Sequence, residues 1–182
     1  MGWEALFADL SGEFEAAEAA ELAAEVDDRT RHLSARLRLV DRLRPAVGRT
    51  IRLHVAHLGA VSGCLLDVGP DWLLLGDAGN RQTLVPAVAV LAVSGLDASA
   101  AEPGTESVVL SRLRLGYVLR ALARDRARVV VVLSDGSART GTVERVGADH
   151  ISLADQGGES GRPSIRDVLA VPFSAVVAVR SA

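Results

Sequence analysis

The chain has one cysteine, no lysine and only six aromatic side chains among its 182 residues. A lone cysteine, Cys64, excludes an intrachain disulfide and agrees with a reducing compartment. Beside Gly63 in an expected strand, it reads as a small buried hydrophobe and not as a reactive thiol. So few aromatics leave little to stack on nucleic-acid bases. Long apolar runs are missing too. The longest, Leu84–Val93, is half the ~20 residues that a helix needs to cross a bilayer, so no membrane span is expected. The opening MGWEALFADLSGEFE is acidic where a secretory signal would be basic, which points to a cytoplasmic location. A net charge of −3 argues against bulk attraction to nucleic acid or anionic membrane. With 49% hydrophobic residues and a mean hydropathy of +0.25, the chain is too apolar for disorder and reads as globular.

What the chain does have is one unit written twice. Thr50–Asp77 aligns without a gap on Arg128–Asp155. Gly63 falls on Gly141, Val68-Gly69 on Val146-Gly147, Asp71 on Asp149, Leu75 on Leu153 and Asp77 on Asp155. After a longer loop in the second copy, Val85-Pro86 returns as Val171-Pro172, and Val90–Val93 as Val176–Val179. Ahead of each copy stands a similar segment, Arg36-Leu37-Arg38-Leu39 and Arg112-Leu113-Arg114-Leu115.

The first 28 residues carry nine acids and no base, whereas residues 29–52 carry eight arginines and one acid, Asp41. Trp3, Leu6, Phe7, Leu10 and Phe14 fall at helical spacing, and AAEAAELAAE is strongly helix-forming. One helix from Trp3 to Arg44 is expected, with a break or kink allowed at Ser11-Gly12 and a stop at Pro45 and Gly48. Acid at its start and arginine at its end match the helix dipole, and Glu25–Arg29 and Asp27–Arg31 are i,i+4 pairs. That reading is favoured over antiparallel pairing of acidic and basic halves between copies.

After Pro45 the period becomes two, with Ile51, Leu53 and Val55 on one face and Arg52 and His54 on the other. Leu58-Gly59 and Ser134-Asp135-Gly136-Ser137 mark hairpins. Gly63 and Gly141, inside second strands, imply a bend, a bulge or close backbone approach. Val-Gly-x-Asp turns lead to third strands at Trp72–Leu75 and His150–Leu153, and fourth strands end at Pro86 and Pro172. Four segments follow: an acidic helix over 1–34, a helix-barrel unit over 35–96, a linker over 97–105 and a second helix-barrel unit over 106–182. The second unit opens with a helix from Glu106 to Arg124.

Val129–Leu133, Asp135-Gly136, Gly141, Val146, Asp149, Ile151 and Leu153 together resemble the first three strands of Sm proteins and their bacterial relative Hfq. The Val-Pro-x-x-Ala-Val-x-x-Val segments are similar to the family's link into strand five. The resemblance covers about two thirds of the chain and implies an α+β fold: a long N-terminal helix, then two helix-plus-five-strand Sm-like (SH3-like) barrels in tandem. It also implies pairing of strand four of one barrel with strand five of the next, hence a homo-oligomer. The family's RNA contacts do not carry over well. Only Asp71-Trp72 and Asp149-His150 stand near the strand two–three position, and Pro86-Ala87 and Pro172-Phe173 occupy the place of an Arg-Gly pair. The whole chain also resembles proteins of high-GC bacteria, in keeping with its arginine-only basic residues.

No catalytic, cofactor or metal motif is found. His54 and His57 point to opposite sides of a strand end, and His32 and His150 lie elsewhere. The serine of Gly59–Gly63 is one place too late for a nucleophile elbow. Gly76–Gly79 and Gly157–Gly161 lack the helix and lysine of a phosphate loop. Arg112, Arg114, Arg120, Arg124, Arg126 and Arg128, with Trp72 in a surface turn and His150, are the candidate contacts for nucleic acid or a partner. The plainer reading is arginines that finish and solvate a helix. A non-catalytic scaffold acting through protein contacts is therefore expected, with a nucleic-acid-binding regulator as the alternative.

Overall fold

A computed structural model describes residues 18–97, 113–155 and 168–182, with 19, 23, 26 and 33 excepted. The stripe from Trp3 to Phe14, the linker beyond Asp97, Arg112 with the expected helix start at Glu106, and Gly157–Gly161 lie outside the described residues. The chain divides into two units, residues 1–38 and 39–182.

In the first unit the described residues from 18 to 34 are helical (α1). Arg31 Nε donates to the Asp27 carbonyl at 3.3 Å, and His32 lies 3.9 Å from Asp28. The helix stops well short of Arg44. Ala35 N still reaches Arg31 O at 3.0 Å, but Leu37 N reaches back only to Ser34 O at 3.2 Å, a tightened terminal turn. The single long helix expected from the alanine-glutamate composition is thus corrected.

The second unit opens with α2 (Leu39–Leu43) and a 3-10 turn that bury Val40, Leu43 and Ala46. Five strands follow: β1 (Thr50–Val55), β2 (Gly59–Val68), β3 (Trp72–Gly76), β4 (Gln82–Pro86) and β5 (Val90–Ser94). Helix α3 (Leu115–Arg124) then precedes β6 (Arg128–Leu133), β7 (Ala138–Val146), β8 (His150–Asp155), β9 (Val168–Pro172) and β10 (Val176–Ser181). All ten strands form one antiparallel sheet in the order β5-β1-β2-β3-β4-β10-β6-β7-β8-β9. This overturns the expected architecture of a long helix and two separate barrels. A continuous sheet with three short helices, among the described residues, takes its place. The reason lies in β10. Its Val176–Val179 stretch is apolar with no proline or charge to block pairing, and the strand pairs with β6 on one side and β4 on the other, with Val179 opposite Leu84 and Arg180 opposite Thr83.

The two halves repeat one another bond by bond. The β2–β3 ladder shifts register between Leu65 and Asp67, and β7–β8 between Val143 and Arg145. Gly69 N bonds Trp72 O at 2.9 Å, and Gly147 N bonds His150 O at 2.8 Å. Ala87 N bonds Asp71 O at 2.8 Å, and Phe173 N bonds Asp149 O at 2.7 Å. The strand glycines serve close approach. A β-carbon at Gly63 would sit 2.6 Å from the Gly76 carbonyl oxygen, and one at Gly141 would sit 2.2 Å from that of Ala154.

Two apolar cores lie along the sheet, and each borrows from the other half. Ile51, Leu53, Leu65, Leu73 and Val85 are joined by Val132, Val177 and Ala178. Leu119, Val131, Val143, Ile151 and Leu153 are joined by Trp72 and Leu84. Each fully buried Leu or Val side chain stabilises the fold by roughly 1.5–3 kcal/mol, so the exchanged residues bind the halves firmly.

Candidate protein-interaction surface

The join between the halves has two parts. The first is the β4–β10 pairing. The second is a latch on α3, whose own N-cap residue, Arg114, makes no side-chain capping bond. From the β2–β3 turn of the first half, the Asp71 carboxylate accepts the Leu115 amide at 2.8 Å, which satisfies a free donor at the helix start. Next to it the Trp72 indole N–H donates to the Leu113 carbonyl at 2.6 Å. The described residues 113 and 114 are not helical, so α3 begins at Leu115, later than the run of helix formers implied.

At the outer ends of the sheet the same positions are open. Strand β5 has β1 on one side and no described strand on the other, and β9 likewise has only β8. Val177 is 4% exposed in the join, while its repeat equivalent Leu91 is 72% exposed. In the 3-10 turn before β5, Val88 is 83% exposed and lines a cleft with Asp71 and Arg114. Trp72 is buried, but its equivalent His150 is partly exposed, with Nδ1 2.9 Å from Asp149 Oδ1. The hydrogen bond to His150 holds the Asp149 carboxyl below its ordinary value. Leu84 and Pro86 are buried, whereas Ala170 and Pro172 are exposed.

Trp72 therefore does not occupy a surface turn. It follows Asp71 out of the turn as the first residue of β3, and α3 closes over it. The described arginines do not converge into one patch. Arg114 and Arg120 line a cleft of about 490 Å³ with Asp71, Tyr117 and Phe173, and Arg120 donates to the Gly147 carbonyl at 3.4 Å. Arg126, left-handed with φ of 49°, lines a different cleft of about 250 Å³ with Arg145 and Glu144. Arg124 ends α3 and Arg128 starts β6, both exposed. Among the described residues no three His, Cys, Asp or Glu side chains gather as metal ligands, and no helix is long and apolar enough to cross a membrane. Asp71 was read from the sequence as a repeat and turn position near the family's strand two–three contacts, and not as a helix cap. The contrast of Trp72 with His150 at equivalent positions was the available signal that one turn is covered and the other open.

No family model matches the chain, and no curated protein matches it.

Proposed function

We propose that the protein is a non-catalytic cytoplasmic scaffold that acts through protein–protein contacts, with the β5 edge as its binding surface. One observation carries this reading. Leu91 lies exposed on β5, which has no described strand on its outer side, whereas its repeat equivalent Val177 is buried in the first core beside the β4–β10 pairing. A neighbouring protein strand would pair with the outer backbone of β5 and cover the Leu91 side chain. The scatter of the arginines over two clefts supports protein over nucleic acid as the partner.

The chain has no lysine, so amine-directed cross-linkers report poorly on it. A photoreactive side chain at Ala92, exposed on β5, is the better probe, with one at the exposed Arg139 as control. Protein adducts from position 92, lost when Leu91 is changed to Arg, are the expected result. Equal adducts from both positions would overturn the reading, as would steep salt-dependent retention on poly-U with no protein adduct.

A further inference from the structure

We infer that the cleft at the start of α3 binds a small organic carboxylate with an aromatic or alkyl body. It is a ligand site distinct from the β5 edge. Extended past Leu39 and Leu115, the repeat sets Val40 on Gly116, Asp41 on Tyr117, Leu43 on Leu119 and Arg44 on Arg120. Leu43 and Leu119 are both fully buried, so the two helices sit alike in their halves. In the first half the Arg44 guanidinium meets a carboxylate, Asp41 Oδ1, at 3.5 Å. In the second half tyrosine stands where that aspartate was.

Arg120 is left with the Gly147 carbonyl at 3.4 Å, and among the described residues neither it nor Arg114 has an ion-pair partner. The carboxylate that lines the same cleft, Asp71, already accepts the Leu115 amide. Two guanidinium groups thus share one committed carboxylate, and a further anion would balance them. The walls around them are apolar. Val88 and Pro86 come from the first half, and Tyr117 and Phe173 from α3 and the second half. Gly116 holds the space between these groups open. A β-carbon there would sit 3.4 Å from the Phe173 ring and 3.8 Å from an Arg120 guanidinium nitrogen. Glycine is a poor helix former, and its equivalent Val40 is buried.

The cleft's volume of about 490 Å³ is that of a small-molecule site, and an apolar lining with a few placed charges is the usual make-up of one. Guanidinium groups hold carboxylates through paired, charge-assisted hydrogen bonds. The ligand brings to Arg120 what Asp41 brings to Arg44, and lays its apolar body on Tyr117, Phe173 and Val88. Because the lining comes from both halves, binding also stabilises their join.

The test is a titration of the full chain with a fluorophenyl-substituted butyrate, followed by fluorine NMR. Saturable binding is expected, about tenfold weaker for the matching alcohol and for Arg120→Ala, because a charge-assisted bond is lost. Arg139→Ala, outside the cleft, should leave it unchanged. Tyr117→Asp is the sharper variant. It restores the acid of the first half at an exposed helix position and should abolish binding, whereas Tyr117→Asn should retain part of it. Circular dichroism verifies that both variants fold. Equal binding of acid and alcohol, or equal binding by the Asp and Asn variants, overturns the inference. So does a short oligouridylate that binds here when the carboxylate does not, which would give the cleft to nucleic acid. Adducts from position 92 enter none of these readouts, so this inference and the protein-binding reading fail separately.

Discussion

Trp72 and His150 occupy the same place in the two halves of the sheet and live in different surroundings. Trp72 lies under α3, its indole bonded to a carbonyl 41 residues away. His150 is partly open and bonded to its own neighbour, Asp149. The same split runs through Leu84 and Ala170, Pro86 and Pro172, and Val177 and Leu91. At two of these positions the repeat differs in kind, with apolar Trp72 and Leu84 where the halves meet and polar or small His150 and Ala170 at the outer end, while Pro172 and Leu91 keep apolar side chains exposed. Residues that differ between the halves therefore report on the join. Residues that match, such as Gly63 and Gly141, report on the strand geometry common to both.

The largest effect that could break this comparison is at Trp72. Trp72→Ala should cost about 3–5 kcal/mol through the cavity and the lost indole bond, while His150→Ala should stay within about 0.5 kcal/mol. Chemical denaturation of dilute protein measures both, and equal losses would mean that the halves are not distinguished in this way. Next come the matched glycines. Gly63→Val and Gly141→Val should each cost about 3 kcal/mol, because the new side chain meets a backbone carbonyl that cannot step aside. Costs that differ widely between the two would count against a shared strand geometry.

Smaller again is the latch. Asp71→Ala should cost about 1 kcal/mol in stability, the value of a lost helix cap. Asp149→Ala, at the equivalent exposed turn, should leave stability unchanged within about 0.5 kcal/mol. The smallest effect lies in the β3–β4 loop. The Asp77 carboxylate accepts from the amides of Arg81 and Gly79 and from Arg81 Nε, and these bonds, that to the Arg81 amide foremost, hold its carboxyl below the ordinary range. A lowered folded value means that its contribution is present above the ordinary carboxylate pKa and lost as the pH falls through the folded value. Asp77→Asn should remove that small acid-side slope from the melting temperature and change little at neutral pH.

Local pattern was enough to find the strands. The alternation in Thr50–Val55 is realised as alternating exposure and burial, and Asp135-Gly136 makes its hairpin with Gly136 left-handed and the Asp135 carboxylate on the Ser137 amide. Alternation assigns a residue to a face but names no neighbouring strand. The β4–β10 pairing, between residues 95 positions apart, was thus invisible to it and replaced two barrels by one sheet. Trp72 read as surface for a related reason. It follows a turn, and what buries it, the Leu113–Leu119 stretch, comes much later in the chain. The arginine candidates were judged from one helix and the segment after it, and only the fold shows that Arg114 and Arg120 line one cleft and Arg126 another. Alanine and glutamate favour helix without saying where a helix must end, which is why the break after Ser34 was missed.

The borrowing of Val132, Val177 and Ala178 by the first core has a consequence for how the protein is made. Residues 39–97 alone leave that core with one wall missing, so they cannot complete it when they leave the ribosome. Leu84 must wait for Val179, which at roughly 5–20 residues per second takes roughly 5–20 s. During that wait β4 is an uncovered apolar edge, the kind of surface that holding chaperones bind and that neighbouring nascent chains on one messenger can mispair with.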